Sequence, residues 1–175
     1  MHRELTNDEK LTNAETMRHI LTIRALLSEC VLELHGRGDA HDKSKLREPE
    51  VDTFTKYTKI LAGLTYGSEE YKAALAEMKP ALDNHYKCNR HHPEHFENGL
   101  ADMNLFDVLE MLIDWKAATL RHKDGDIQRS LEINRDRFDM PEPIVNLLAN
   151  TIPVIERMAK RSNAAVSYPH VEEDK

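Results

Sequence analysis

The chain has 175 residues, of which 40% are hydrophobic and 31% charged, a balance that is typical of a folded globular protein and excludes a disordered one. Lys and Arg number 24 against 31 Asp and Glu, and the net charge of −7 disfavours a protein that coats nucleic acid. No apolar run approaches the ~18 residues of a membrane span, and two cysteines, Cys30 and Cys88, predict a reducing compartment rather than a disulfide framework.

The first predicted helix begins at a capping box, in which the Thr12 hydroxyl accepts from a backbone amide and Glu15 reaches back. Behind it, apolar residues recur at spacings of three and four and form one stripe of an amphipathic helix: Ile20, Ile23, Leu27, Val31 and Leu34. We expect Gly36 and Gly38 to end this helix, since glycine tolerates the left-handed conformation of a C-cap.

The middle of the chain predicts two further helical segments and a loop. One helix is expected over about Pro49–Ala62 and ends at Gly63. Ser68 has the features of an N-cap, because acidic residues follow it in the first turn, where the helix dipole favours them. That segment continues towards His85 with a kink or a break at Pro80, whose nitrogen has no proton to donate. Residues 91–102 are too interrupted for regular structure and are predicted to form a loop.

Two N-caps mark the helices that follow. Asn104 caps a helix from Leu105 to about His122, which Gly125 closes. Asp126 caps the next helix, which carries Ile127, Leu131, Asn134 and Phe138.

A last helix begins at Pro141 and Pro143 and runs through Met158. No segment alternates with the period of two that a strand requires. The sequence therefore predicts an all-α fold, a single bundle of six or seven helices over residues 1–161, followed by a polar tail over residues 162–175.

His41 and Asp42 stand side by side, and Lys45 follows three residues later. An adjacent imidazole and carboxylate offer a divalent cation one nitrogen and one oxygen ligand. The same pair also occurs in surface turns, and the polar residues around it allow that alternative.

His19 and Asp114 extend the candidate set. His19 lies four residues before Ile23 and so shares the apolar stripe of the first helix, as a ligand or as a core histidine bonded to a carbonyl. Asp107, Glu110 and Asp114 follow one another along one side of a predicted helix, beside its apolar face. Such a row is either solvated or has a cation or basic partner among its charges, because like charges repel and resist desolvation.

Potential ligands are densest between residues 85 and 95, which contain Glu94 and four of the ten histidines: His85, His91, His92 and His95. Their spacing is neither that of a zinc finger nor the His-Glu-x-x-His arrangement of a metalloprotease. We interpret this segment as a metal or anion site, with a charged surface loop as the alternative.

In chain order, these candidates resemble the metal-binding residues of the HD-domain superfamily, whose members are all-helical and commonly metal-dependent phosphohydrolases. Three motifs resemble more closely an uncharacterised phage-associated family, over about residues 17–138: His-Asp-x-Ser-Lys, His-Tyr-Lys-x-Asn-x-His-His-Pro-Glu-His and Glu-Met-x-x-Asp-Trp-Lys-Ala. The resemblance implies an HD-like bundle with His19, His41, Asp42 and Asp114 as metal ligands. His85, His91 and His92 are further candidates, for a second ion.

The expected cofactor is a divalent transition metal, Mn, Fe, Co, Ni or Zn, as one ion or two. Such an ion lowers the pKa of a bound water from ~15.7 towards ~7 and so makes hydroxide available at neutral pH. Attack on phosphorus also requires positive charge at the non-bridging oxygens, for which Lys45, Arg90 and Arg121 are the candidates.

Proton transfer is expected from the histidine-rich segment. One imidazole among His91, His92 and His95 protonates the leaving oxygen, and His95 is also a candidate substrate contact. Glu110 serves as a base or orients a ligand imidazole. The expected function is a metal-dependent phosphohydrolase that acts on a small phosphorylated substrate, with a nucleotide as the favoured class.

Two other functions are open from the sequence. In a di-iron oxygenase, which the superfamily also contains, the additional histidines would bind a second iron. In a non-catalytic module, a metal would only hold the helices together, or the pocket would bind a nucleotide without turnover. The expected partner is a small phosphorylated molecule, with no coating of nucleic acid and no membrane, and self-association is left open. We expect a cytoplasmic location, in the host cytoplasm for a phage-encoded protein.

Overall fold

A computed structural model describes residues 3–64, 68–120 and 125–161. These residues form seven α-helices and three short 3₁₀ turns, with no β-strand among them, which confirms the predicted all-α fold. Within the described ranges, no helix is both long enough and apolar enough to cross a bilayer.

The chain divides into two compact units, Met1–His41 and Asp42–Lys175. The single domain predicted over residues 1–161 stays a prediction. The predicted tail, residues 162–175, lies outside the described residues.

The first unit contains one long helix, α1 (Asn7–Ala40). A capping box starts it: Thr6 Oγ1 accepts from the Glu9 N–H at 3.3 Å, and a Glu9 carboxylate oxygen accepts from the Thr6 N–H at 2.8 Å. The capping box predicted at Thr12 is therefore wrong, because an equivalent pair of bonds is already made one and a half turns earlier in the sequence.

Two other expectations for α1 are wrong. The helix continues through Gly36 and Gly38, since an interior glycine costs only about 1 kcal/mol relative to alanine and this does not stop a long helix. The predicted apolar stripe is exposed except for the half-buried Leu34, and His19 is exposed as well, because a lone helix has no second element in its own unit against which to bury a face.

The second unit contains six helices and three 3₁₀ turns among its described residues. The helices are α2 (Val51–Ala62), α3 (Glu69–Glu77), α4 (Lys79–Cys88), α5 (Leu105–Thr119), α6 (Ile127–Arg137) and α7 (Glu142–Arg161). The 3₁₀ turns are Lys43–Leu46, Pro93–His95 and Gly99–Asp102, and the last two interrupt the predicted loop.

Local sequence signals correctly predicted most helix ends in this unit. Ser68, Asn104 and Asp126 each cap a helix, and their side-chain oxygens accept from backbone N–H groups of the first turn. Gly63 follows the last residue of α2, and the break between α3 and α4 falls just before Pro80.

Two apolar cores stabilise the second unit. The larger core is contributed by α5, α6, α7 and the segment between the last two: Met111, Leu112, Ile127, Leu131, Met140, Leu148, Ile152 and Ile155. The smaller core joins α2, α3 and the start of α4 through Tyr57, Ala74 and Met78. Burial of each large apolar side chain contributes about 1.5–3 kcal/mol. The histidine-rich loop, residues 89–104 between α4 and α5, connects the helices of the smaller core to those of the larger one.

Two guanidinium groups hold this loop in place. Arg90 donates to both carboxylate oxygens of the fully buried Asp107, from Nε at 3.1 Å and from Nη2 at 3.0 Å. Arg137 of α6 donates to Glu94 in the loop at 2.5 Å. Because a two-pronged guanidinium–carboxylate contact fixes orientation as well as distance, the residues that follow Arg90 are positioned relative to α5.

The turn between α5 and α6 depends on a glycine. α5 ends at Thr119, before the predicted end at about His122, and residues 121–124 lie outside the described residues. A Cβ added to Gly125 would lie 1.9 Å from the carbonyl oxygen of Thr119. Only a residue without a side chain allows this approach of two backbone segments.

Gly125→Ala is expected to lower the free energy of unfolding by about 1–3 kcal/mol, because the methyl group forces a backbone shift. The measurement is urea unfolding followed by circular dichroism. Gly36→Ala is the matched control: an added Cβ there has no atom within 4 Å, and α-helix propensity predicts unchanged or higher stability, by up to about 1 kcal/mol. Equal midpoints for Gly125→Ala and the wild type would contradict the close approach.

Arg90→Ala is expected to lower the free energy of unfolding by about 2–3 kcal/mol, because the buried Asp107 carboxylate loses two charged donors. Arg90→Lys should fall between this variant and the wild type, since lysine keeps the charge but not the planar fork. The same unfolding experiment measures both. A lysine variant as unstable as the alanine variant would show that charge alone adds nothing here.

Candidate metal centre

Four potential ligands converge in the second unit: Asp42, His85, His91 and His92. Each offers one ligand atom, and these four atoms all lie within 4.8 Å of one another. Asp42 precedes the first 3₁₀ turn, His85 lies in the last turns of α4, and the other two histidines lie three and four residues after the end of α4. The chain therefore brings together residues that are separated by about fifty positions in sequence.

The Asp42 carboxylate lies between the histidines and a lysine. Its Oδ1 atom is 3.3 Å from Nε2 of His85 and 3.7 Å from Nε2 of His91. Its Oδ2 atom accepts a hydrogen bond from Lys45 Nζ at 2.6 Å. The backbone of Asp42 is left-handed, with φ at 56°, a conformation that aspartate adopts more readily than most residues other than glycine.

His85 is almost fully buried, and its two ring nitrogens face different groups. Nδ1 lies 3.0 Å from a carboxylate oxygen of Glu50, which has no exposed surface at all. Nε2 faces Asp42 and lies 2.9 Å from Nε2 of His92. A ring that donates from Nδ1 to a carboxylate directs an unprotonated Nε2 towards the cluster, which is the usual arrangement of a metal-binding histidine.

His91 repeats this arrangement with a carboxylate from α5. Its ring is buried, with Nδ1 at 3.2 Å from a carboxylate oxygen of Glu110 and Nε2 directed towards Asp42. Glu110 thus lies where it can orient a ligand imidazole, one of the two roles that the sequence suggested for it.

His92 is held as a neutral ring. Burial first, and then the neighbouring His91 and His85 rings, lower the pKa of His92 from 6.5 to about 3, against the opposing charges of Asp114 and Asp42. Its ring centre lies 4.1 Å from that of His91. At neutral pH this imidazole has an unprotonated nitrogen, which is the form that binds metals.

Nitrogen atoms lie near each of the three carboxylates on α5. Asp107 accepts from Arg90, Glu110 lies against His91, and Asp114 has a carboxylate oxygen within 4.8 Å of a ring nitrogen of His91. The sequence alternative of a solvated acidic stripe therefore does not describe Asp107 and Glu110, and a ligand role for Asp114 stays a prediction.

The remaining predicted ligands belong to the first unit. His41 is the C-cap of α1 and precedes Asp42 in the chain. Among the described residues, His19 is in no cluster of three potential ligands. A ligand role for either histidine stays a prediction.

The residues predicted to bind substrate have varied surroundings. Lys45 lies beside the cluster, paired with Asp42 and 5.0 Å from the centre of the Phe54 ring. Arg90 is engaged by Asp107, and the Nδ1 atom of His95 lies 3.0 Å from the Tyr86 carbonyl oxygen, to which it donates. Arg121 lies outside the described residues. Among the described residues, Lys45 is therefore the predicted substrate-binding cation that contacts a cluster residue, Asp42.

Sequence reasoning missed three residues that support the cluster: Ser44, Glu50 and Asn89. Ser44 and Asn89 occur in the motifs quoted above, where they received no role, and their polarity inside otherwise ligand-rich motifs was the available signal. Glu50 had no such signal, because an acidic residue at the start of a predicted helix is expected on the surface.

The donor set restricts the chemistry. Three imidazole nitrogens and one carboxylate oxygen suit Mn, Fe, Co, Ni or Zn better than Ca or Mg, which prefer oxygen ligands. No sulfur lies in the cluster, and Cys30 and Cys88 are both free thiols. The four side chains could therefore hold one such ion.

Comparison with known proteins gives a family but no functional relative. No curated protein and no solved structure is significantly similar to the chain. A family model, described as a family of unknown function, matches residues 8–161. The chain therefore belongs to the DUF5662 family.

Proposed function

We propose that this protein is a metal-dependent phosphohydrolase that acts on a small phosphorylated molecule, with a nucleotide as the favoured class. The observation that supports it is the convergence of Asp42 with three histidines, two of which have a carboxylate against Nδ1. The proposal extends to the cytoplasm, or the host cytoplasm for a phage-encoded protein, as the place of action.

Asp42, His85, His91 and His92 would hold the ion. The fit rests on their chemistry: His92 is neutral, and His85 and His91 direct Nε2 inwards because a carboxylate accepts from Nδ1. A divalent ion in such a site lowers the pKa of water from ~15.7 to ~7 and makes hydroxide available at neutral pH.

Lys45 is the residue that we assign to the phosphoryl oxygens. Its side chain is about one-third exposed, at 32%, so that a ligand can reach it from solvent. Its present hydrogen bond is to Asp42 Oδ2, the carboxylate oxygen that does not face His85 and His91. A substrate oxygen that replaces this bond would receive a charged donor where negative charge develops.

Glu110 acts on His91 in this mechanism. By accepting a hydrogen bond from Nδ1–H of His91, it keeps Nε2 of that ring unprotonated and available as a ligand atom. Asp114 adds negative charge next to the same ring, which favours a cation in the cluster. These two residues of α5 thus set the orientation of His91 and the charge next to its ring.

Asp42→Asn is expected to lower the affinity for Mn, Fe, Co, Ni or Zn by at least ~100-fold, since even residues behind a ligand contribute ~10–100-fold. Asparagine tolerates the left-handed backbone and removes only the charge. Metal content is measured by elemental analysis and affinity by calorimetry. Phosphate release is measured on a panel of nucleoside mono-, di- and triphosphates, and the variant should release none above background.

Asp136→Asn is the matched control, because that carboxylate is exposed and remote in sequence from the cluster residues. Retention of stoichiometric metal in Asp42→Asn would contradict the ligand assignment. A wild-type protein that binds metal but releases phosphate from none of the nucleotides would contradict the activity, and metal-dependent oxygen consumption would identify an oxygenase instead.

Lys45→Ala is expected to keep its metal and to lose about 10²–10³-fold in kcat, the usual cost of removing one donor to a developing oxyanion. Lys43→Ala, an exposed lysine in the same turn, serves as the control and should keep full activity. Loss of metal in the Lys45 variant would show instead that this lysine supports Asp42 and does not act on the substrate.

A further inference from the structure

Glu50 is a fully buried carboxylate beside the cluster. It has no exposed surface, although it immediately precedes α2 and follows Pro49 in a polar stretch of sequence. Burial of a carboxylate is costly unless several donors satisfy it. The stability of this carboxylate therefore depends on the hydrogen-bond donors around its two oxygens.

Three side chains surround the Glu50 carboxylate. Oε1 accepts from Asn84 Nδ2 at 2.7 Å. Oε2 accepts from the Ser44 hydroxyl at 2.9 Å and lies 3.0 Å from Nδ1 of His85. An ionised carboxylate only accepts hydrogen bonds, so the His85 contact is a bond only when Nδ1 carries the proton.

The contacts of Asn89 argue against the alternative tautomer of His85, in which Nδ1 is unprotonated. Its Nδ2 atom also lies 3.0 Å from Nδ1 of His85, and a proton given there would require an unprotonated Nδ1. Both Nδ2 protons have other acceptors, however: Ser44 Oγ at 2.8 Å and the His85 carbonyl oxygen at 2.8 Å. Ser44 Oγ also lies 3.2 Å from Nδ1 of His85, but its single proton is already given to Glu50 Oε2. With these donors engaged, the hydrogen bonds on the Nδ1 side of the ring are all made when His85 donates from Nδ1 to Glu50.

We propose that Glu50 is a positioning residue for the proposed metal site: it fixes His85 in the Nδ1–H tautomer and thereby leaves Nε2 as the ligand atom. The expected effect on metal affinity rests on the proposed function. The tautomer of His85 does not, because it is a property of the protein without metal. Ser44 and Asn84 hold the carboxylate, and Asn89 directs its protons away from Nδ1.

Glu50→Gln tests this assignment with a change of one atom. Asn84 donates to Oε1, which selects that position for the remaining oxygen of the glutamine. The amide nitrogen then takes the place of Oε2 and presents N–H groups to His85 Nδ1. The bond reverses, the ring proton moves to Nε2, and the ligand atom is blocked.

The experiment combines long-range ¹H–¹⁵N correlation of the imidazoles, calorimetric titration with Zn²⁺ or Co²⁺, and urea unfolding without metal. In the wild type, His85 is expected as the Nδ1–H tautomer. Glu50→Gln should show the Nε2–H tautomer and a ~10–100-fold lower metal affinity. Glu97→Gln makes the same chemical change at an exposed position and should match the wild type in all three measurements.

The outcomes separate the two proposals. An Nε2–H tautomer of His85 in the wild type overturns the inference without any variant, so failure of Glu50→Gln to fold does not protect it. A folded Glu50→Gln with wild-type tautomer and affinity also overturns it. Lower stability with unchanged affinity would mean that Glu50 is only structural, which contradicts the inference as well. A wild type that binds no metal, with His85 as predicted, contradicts the proposed function and leaves the tautomer assignment standing.

Discussion

The candidate site depends on the crowding of lone pairs around one carboxylate oxygen. Asp42 Oδ1 and the Nε2 atoms of His85 and His91 lie within 3.7 Å along their described contacts, and all are buried or half-buried. In an interior of low dielectric, such atoms gain nothing from one another unless a proton or a cation lies between them. The 2.9 Å contact between Nε2 of His85 and Nε2 of His92 is a hydrogen bond when one of these two nitrogens carries a proton. Ion binding and this proton therefore compete for the same space.

One face of α5 serves the site in three different ways. Asp107 fixes the loop through Arg90, Glu110 orients His91, and Asp114 adds charge beside that ring. The helix period places these residues at successive turns, so that a single rigid element controls anchoring, orientation and charge. Substitutions along this face would consequently change stability and ligand geometry by separate routes. The first position affects the fold, whereas the other two act on the histidines.

The sequence predicted the fold wherever the deciding interaction is local. Ser68, Asn104 and Asp126 were recognisable as N-caps because each bonds to amides two or three residues away. The start of α1 was not, since Thr6 and Thr12 offer the same cap chemistry and no local rule chooses between them. The density of histidines indicated a site, and Asp42 was identified from its neighbour. The orientation of each ring was beyond reach, because it is set by Glu50 and Glu110, which are 35 and 19 residues distant from the rings that they contact.

The two guanidinium anchors of the histidine-rich loop affect the rate at which a ligand would leave the cluster. Arg90 and Arg137 hold it at its beginning and at Glu94, and between these points His91 and His92 follow one another directly. A segment fastened in this way has already lost its conformational entropy during folding. Uptake of a ligand would then require little reordering of the chain, and a preorganised loop of this kind favours a slow release. Weakening either anchor should therefore shorten the residence time of a ligand in the cluster, even where the positions of the cluster residues stay the same.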